Sequence, residues 1–151
     1  MADYHWPLLD EETPLDTLFR KGRLALAAVL VLALAPVALA AAGSPRLQAF
    51  FQQDLTDAAY QQKVYSRVAG KWRQPGAKAR PALGKKVVVR AVIGRDGKLV
   101  STDIAIESGS KAWDDAALAA VKKAAPFPPL PASFPLATLD AHFHVAWVAS
   151  P

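Results

Sequence analysis

The stretch from Leu24 to Ala42 contains no charged, amide or hydroxyl side chain, and no other feature limits the organisation of the chain so strongly. About nineteen such residues coiled as a helix extend roughly 28 Å, close to the ~30 Å hydrocarbon core of a bilayer. Arg20, Lys21 and Arg23 precede the segment, whereas its far end meets only Arg46. The positive flank therefore keeps residues 1–23 cytoplasmic and exports everything after Gly43. The small residues of "ALAAAG", downstream of Pro36, also fit a signal-peptidase site, so a cleaved leader is the alternative to an anchor. Asp3, Asp10, Glu11, Glu12 and Asp16 ahead of the segment favour the anchor at residues 24–42. Both readings export the remainder.

That remainder has room for one modest domain, since the whole chain is 151 residues. The net charge of +5 comes from Lys and Arg scattered among acids, with no motif for reading bases, so nucleic acid is not expected as a partner. The absence of cysteine excludes disulfides and thiolate metal sites.

Residues 43–53, "GSPRLQAFFQQ", read as a short connector that spans at most about 35 Å when extended. From Asp54 a helix begins, capped by Asp54 or Thr56, with Tyr60, Val64 and Val68 at spacing four; Gly70, Pro75 and Gly76 stop it. "QPGAKARPALG" is a loop. "KKVVVRAVI" is a strand with Val87, Val89, Ala91 and Ile93 on one side, and "GRDG" turns it into a second strand. On that strand Val100, Thr102, Ile104 and Ile106 share a face, opposite Ser101, Asp103 and Glu107. Ser108 or Ser110 caps a second helix, whose inward stripe is Trp113, Ala117, Ala120 and Val121, and the prolines of "PFPPLP" end it. "ATLDAHFHVAWVA" alternates cleanly, with Leu139, Ala141, Phe143, Val145 and Trp147 inward and Asp140, His142 and His144 outward. The order helix-strand-strand-helix-strand predicts an α+β fold of two layers, a three-stranded antiparallel sheet with two helices on one face, over residues 54–151.

Catalytic chemistry finds little support. No Ser stands beside a positioned base, and Asp114 and Asp115 project about 100° apart on a helix, where capping accounts for them better than a carboxylate pair. His142 and His144 could offer two imidazoles to a metal, but only Asp140 is at hand as a third ligand. Neither an enzyme nor a bound cofactor is expected.

Four segments together resemble the C-terminal domain shared by TonB-like energy transducers and, more distantly, TolA. They are "YSRVAGKWRQP", the hairpin "VVVRAVIGRDGKLVSTDIAIESGS", the helix "AWDDAALAAVKKA" closing in "PFPPLP", and the final "HFHVAW". The resemblance implies a single-pass inner-membrane protein with a periplasmic domain. It also implies β-strand addition, in which an extended peptide of an outer-membrane receptor pairs with an exposed sheet edge. The family uses the last strand in this way, so Asp140 to Val148 is the expected edge, with Asp140, His142, His144, Ala146 and Val148 as partner-binding residues. Arg73, Gln74 and Pro75 match a segment that in the family lies near the peptide. An open edge would also allow a homodimer by edge-strand pairing. A proton-driven motor of the ExbB/ExbD type is the implied inner-membrane partner. Two departures bear on it: Leu24 to Ala42 lacks the Ser and His usual in the family's membrane helix, and the connector is far shorter than the family's Pro-rich spacer. A TolA-like scaffold without energy transduction is the alternative role.

Overall fold

Apolar residues that recur every four positions ask for a helix, and α1, Ala58–Lys71, buries Tyr60, Val64 and Val68 as that spacing predicts. The computed structural model describes residues 42–151. Asp57 caps the helix, its carboxylate accepting the Tyr60 N–H at 2.9 Å, three residues beyond Asp54. The second helix, α2, spans Lys111–Ala124 and is capped by Ser110; it buries Trp113, Ala117, Ala120 and Val121. Asp114 does more than complement the helix dipole, because its buried carboxylate accepts the Ser108 N–H at 3.1 Å and ties the incoming loop to the helix.

The sheet corrects the sequence-based expectation. It has four strands: β1 (Gly43–Phe51), β2 (Lys86–Gly94), β3 (Leu99–Ile106) and β4 (Thr138–Ala149), all antiparallel, in the order β1-β4-β2-β3. The segment read as a connector supplies β1. Leu47, Ala49 and Phe51 lean inward against the core, while Arg46, Gln48 and Phe50 point out. The strand is hard to read locally, because an edge strand meets the core along one face only and Pro45 interrupts its start.

The second correction concerns β3. Register shifts lie between Val88 and Val89 and between Val92 and Ile93 of β2, opposite extra residues in β3. Thr102 and Ile104 keep their inward-facing positions, but Val100 is 63% and Ile106 53% exposed, so strict alternation along this strand fails at both ends.

Trp113 fills the space between the layers. It is fully buried, its indole N–H donates to the Val145 carbonyl at 3.0 Å, and its ring meets Trp72 and Trp147 edge-on at 5.1 and 5.9 Å. The proline-rich segment after α2 closes the far end of the core with Phe127, Leu130 and Phe134. It docks on the β2–β3 turn through Phe127 N–H to Gly97 O and Leu130 N–H to Arg95 O, at 2.8 and 3.0 Å. Burial pushes the Tyr60 phenol up to about 12, and its O–H donates to Pro128 O at 2.8 Å.

Among the described residues no helix is long and apolar enough to cross a membrane. Residues 24–42, the expected span, lie outside the described residues except for Ala42, as do residues 1–23.

Candidate functional site

The terminal strand does not present an open edge. β4 lies between two neighbours, paired with β2 on one flank and with β1, from Gly43↔Ala149 to Phe51↔Ala141, on the other. The flank expected to be available is sealed by the chain's own backbone. The expected docking residues Asp140, His142, His144, Ala146 and Val148 consequently form a row on the sheet's outer face, in the middle of the ladder.

Hydrogen-bond parity then decides what the outer flank of β1 can offer. Gln52 N–H donates to Asp140 O at 3.2 Å and Ser150 N–H to Ala42 O at 2.8 Å, so even-numbered residues of β1 turn their backbone groups toward β4. Odd-numbered residues turn theirs away. Pro45 is among these and has no N–H to give, and the Leu47 carbonyl receives the Tyr65 hydroxyl in a long contact of 3.5 Å. Both features discourage another strand from continuing the sheet beyond β1.

On the outer face Arg90 grips Asp140 through Nε and Nη2 at distances from 2.7 to 3.1 Å, and His142 Nε2 lies 3.3 Å from the same carboxylate. Gln52 Oε1 accepts the Asp140 N–H at 3.1 Å, so the end of β1 is clasped to this cluster. The Arg90 hydrogen bond is the main cause holding the Asp140 carboxyl below its usual range. With the two side chains 44% and 35% exposed, solvent screens the pair, which orients the strand ends more than it stabilises the fold. His144 stacks obliquely on Phe50 of β1, with ring centroids 4.5 Å apart, and its Nδ1 lies 3.4 Å from Lys86 Nζ. A lysine ammonium can donate only to an unprotonated ring nitrogen. Burial first, then the charges of Lys86 and His142, push the His144 pKa down from 6.5.

The sign of that shift gives a prediction. A base harder to protonate in the folded chain contributes stability that is present above pH 6.5 and lost as pH falls through its lowered folded value. Asp140 acts in the same direction at lower pH, its contribution present above 3.8 and lost with further acid. Thermal unfolding should therefore move to lower temperature between neutral and mildly acidic pH, and His144→Gln should flatten that part of the profile. An unchanged pH profile in the variant would show that His144 carries no such linkage.

Arg73, Gln74 and Pro75 follow α1 and do not join the row on β4. Arg73 folds back, its Nη1 donating to the carbonyls of Gly70 and Trp72 at 3.0 and 2.8 Å, which satisfies the end of the helix. Their structural link to β4 runs through Trp72, which meets Trp113 and so reaches Val145. Phe50, Gln52, Arg90, Leu136, Thr138 and His142 line a shallow, open concavity on the outer face, unlike the enclosed cleft of a small-molecule site. Among the described residues no three His, Cys, Asp or Glu side chains converge to hold a metal ion.

The family described as TonB C terminal matches residues 57–143, more than half of the chain. The chain belongs to this family. No curated protein and no solved structure matches it. The TonB match begins with the cap of α1 and ends within β4, so β1 lies wholly ahead of the matched residues and pairs mostly with the part of β4 that follows them. TonB C-terminal domains are transducer and interaction modules rather than enzymes. Sequence reasoning missed Gly43, Leu47, Ala49 and Phe51, which seal the flank, together with Arg90 and Lys86, which reach the row on β4 from β2. The alternation Leu47, Ala49, Phe51 was the available signal for the first group.

Proposed function

We propose that this protein is a TonB-like periplasmic adaptor that binds an extended peptide of an outer-membrane transport receptor by β-strand addition and so supports uptake across the outer membrane. The observation that carries this reading is the behaviour of β4, whose flank takes up a nine-residue extended segment lying outside the family unit. A sheet edge that accepts one strand through backbone bonds accepts others of suitable pattern. Residues 24–42 serve as the inner-membrane anchor, and a motor of the ExbB/ExbD type would act on residues 1–42.

A second reading is favoured by the sealing of that same flank. A domain that has completed its own sheet can hold partners together as a TolA-like scaffold, without strand addition and without energy transduction. The full chain in detergent, incubated with solubilised outer membranes, separates the two. Capture of a transport receptor that a peptide from the receptor's periplasmic segment releases supports the adaptor. Capture of envelope proteins that no such peptide displaces would establish the scaffold instead.

A further inference from the structure

The family unit and the strand that seals it make unequal contributions to the fold. No residue of β1 is buried, whereas the core is assembled from Leu55 onward. Leu47, Ala49 and Phe51 rest against the core without completing it. Among the described residues β1 enters no ion pair, and the one side-chain hydrogen bond it receives from a helix is the long contact from Tyr65. β4, in contrast, is fixed by β2 on its other flank and by five buried side chains, from Leu139 to Trp147. Removing β1 would expose a flank of β4 while the strand stays paired with β2 and held by its buried side chains.

We propose that β1 is an exchangeable occupant of the β4 flank, replaced by an extended partner segment that runs antiparallel to β4 and carries β1's own pattern. This inference rests on the reading of the domain as a peptide-binding adaptor and adds how its site is regulated and what it selects. The pattern follows from the register. A residue without a side chain is required opposite Ala149, because a Cβ at Gly43 would collide with the Trp147 indole. Aliphatic, small and aromatic side chains then fall opposite Val145, Phe143 and Ala141, where Leu47, Ala49 and Phe51 now sit. Phe51 meets Phe143 edge-on at 6.5 Å, so an aromatic residue at this last position gains a specific contact.

Chain length points the same way. In the sequence β1 begins immediately after the apolar run that ends at Ala42, so while it is paired residues 43–51 are taken up in the sheet and are not free as a linker. Released, residues 43–53 become a tether of up to about 35 Å. One event therefore both opens the edge and lengthens the reach. The remaining edges compete poorly: β1's outer flank is blunted by Pro45, and β3 is broken by register shifts at both ends.

The chain contains no cysteine, so a single engineered pair can lock the strand. Arg46 and Ala146 are register partners on the outer face, at a hydrogen-bonded position where Cα atoms stand about 5.5 Å apart, within disulfide range. The probe is a fluorescent synthetic peptide of residues 43–53, added to the full chain in detergent. The built-in strand competes at an effective concentration of order millimolar, so wild type should bind the peptide weakly. Leu47→Ser in the full chain should bind it at least tenfold more tightly. Arg46→Cys/Ala146→Cys should bind like wild type when reduced and at least tenfold more weakly when oxidised. A peptide carrying Gly43→Val should not bind. Equal binding by the oxidised and reduced pair, or no gain with Leu47→Ser, would overturn the exchange. So would unfolding of Leu47→Ser, since β1 would then be integral to the core, or failure of both this pair and Ser44→Cys/Val148→Cys to close. Because the probe is the chain's own segment, the two proposals fail separately. Exchange without receptor capture removes the receptor role, and receptor capture by the oxidised pair removes the exchange.

Discussion

Trp113→Ala is expected to lower the unfolding free energy by about 4 kcal/mol, a large share of the 5–15 kcal/mol typical of a domain. The side chain is wholly buried and stands where both helices and the sheet meet, so truncation leaves a void that no neighbour can fill without leaving its own place. The hydrogen bond to Val145 O is lost with the ring, and Trp72 and Trp147 lose their edge contact. Trp113→Phe isolates part of this, keeping most of the volume while removing the N–H, and should cost about 1–2 kcal/mol. Guanidinium unfolding followed by circular dichroism gives both values. A loss below about 1 kcal/mol for the alanine variant would mean that the layers close over the gap, contrary to the packing described. The effect should extend to docking as well, because Val145 and Trp147 belong to the strand that receives β1.

Much of the architecture is legible in the sequence, wherever a periodic stripe coincides with a single buried face. Tyr60, Val64 and Val68 give α1, Trp113, Ala117, Ala120 and Val121 give α2, and the alternation from Leu139 to Trp147 gives β4. The periodicity fails where burial is one-sided or the ladder is irregular. In β1 only Leu47, Ala49 and Phe51 alternate, between Pro45 and two glutamines, too short a run to distinguish a strand from a connector. In β3 the register shifts take Val100 and Ile106 out of the inward set that strict alternation would give them: Ile106 pairs with Val88, on the face of His144, and Val100 lies opposite no residue of β2.

The outward face of β4 was legible in the sequence, and the occupation of its flank was not. Alternation alone puts Asp140, His142 and His144 on the outer face, whereas the approach of Arg90 to Asp140 depends on the register between β2 and β4, which alternation does not give. Whether a strand has one free flank or none depends on pairings between distant parts of the chain. Residues 43–51 meet residues 141–149 across nearly the whole domain, and local pattern carries no record of that encounter. The family resemblance could not supply it either, since the matched residues start after β1.

Gly97→Ala is expected to be the most damaging single-methyl change in the domain, at about 3 kcal/mol or more. Two penalties coincide. Gly97 adopts φ +84°, a conformation that costs an L-residue roughly 1–2 kcal/mol. Its missing Cβ would also fall on the Phe127 carbonyl, in the segment whose N–H donates back to Gly97 O. To make room, the proline-rich segment must retreat, and Phe127 and Leu130 leave the core with it. Gly84→Ala is the matched control, because Gly84 has φ +81° but nothing within 4 Å of an added Cβ, so it should show the conformational cost alone, about 1–2 kcal/mol. The difference between the two variants in guanidinium unfolding measures how firmly the hairpin turn seats that segment. Equal losses would mean that the segment yields freely, and the closure of the core by Phe127, Leu130 and Phe134 would then have to be far looser than their burial indicates.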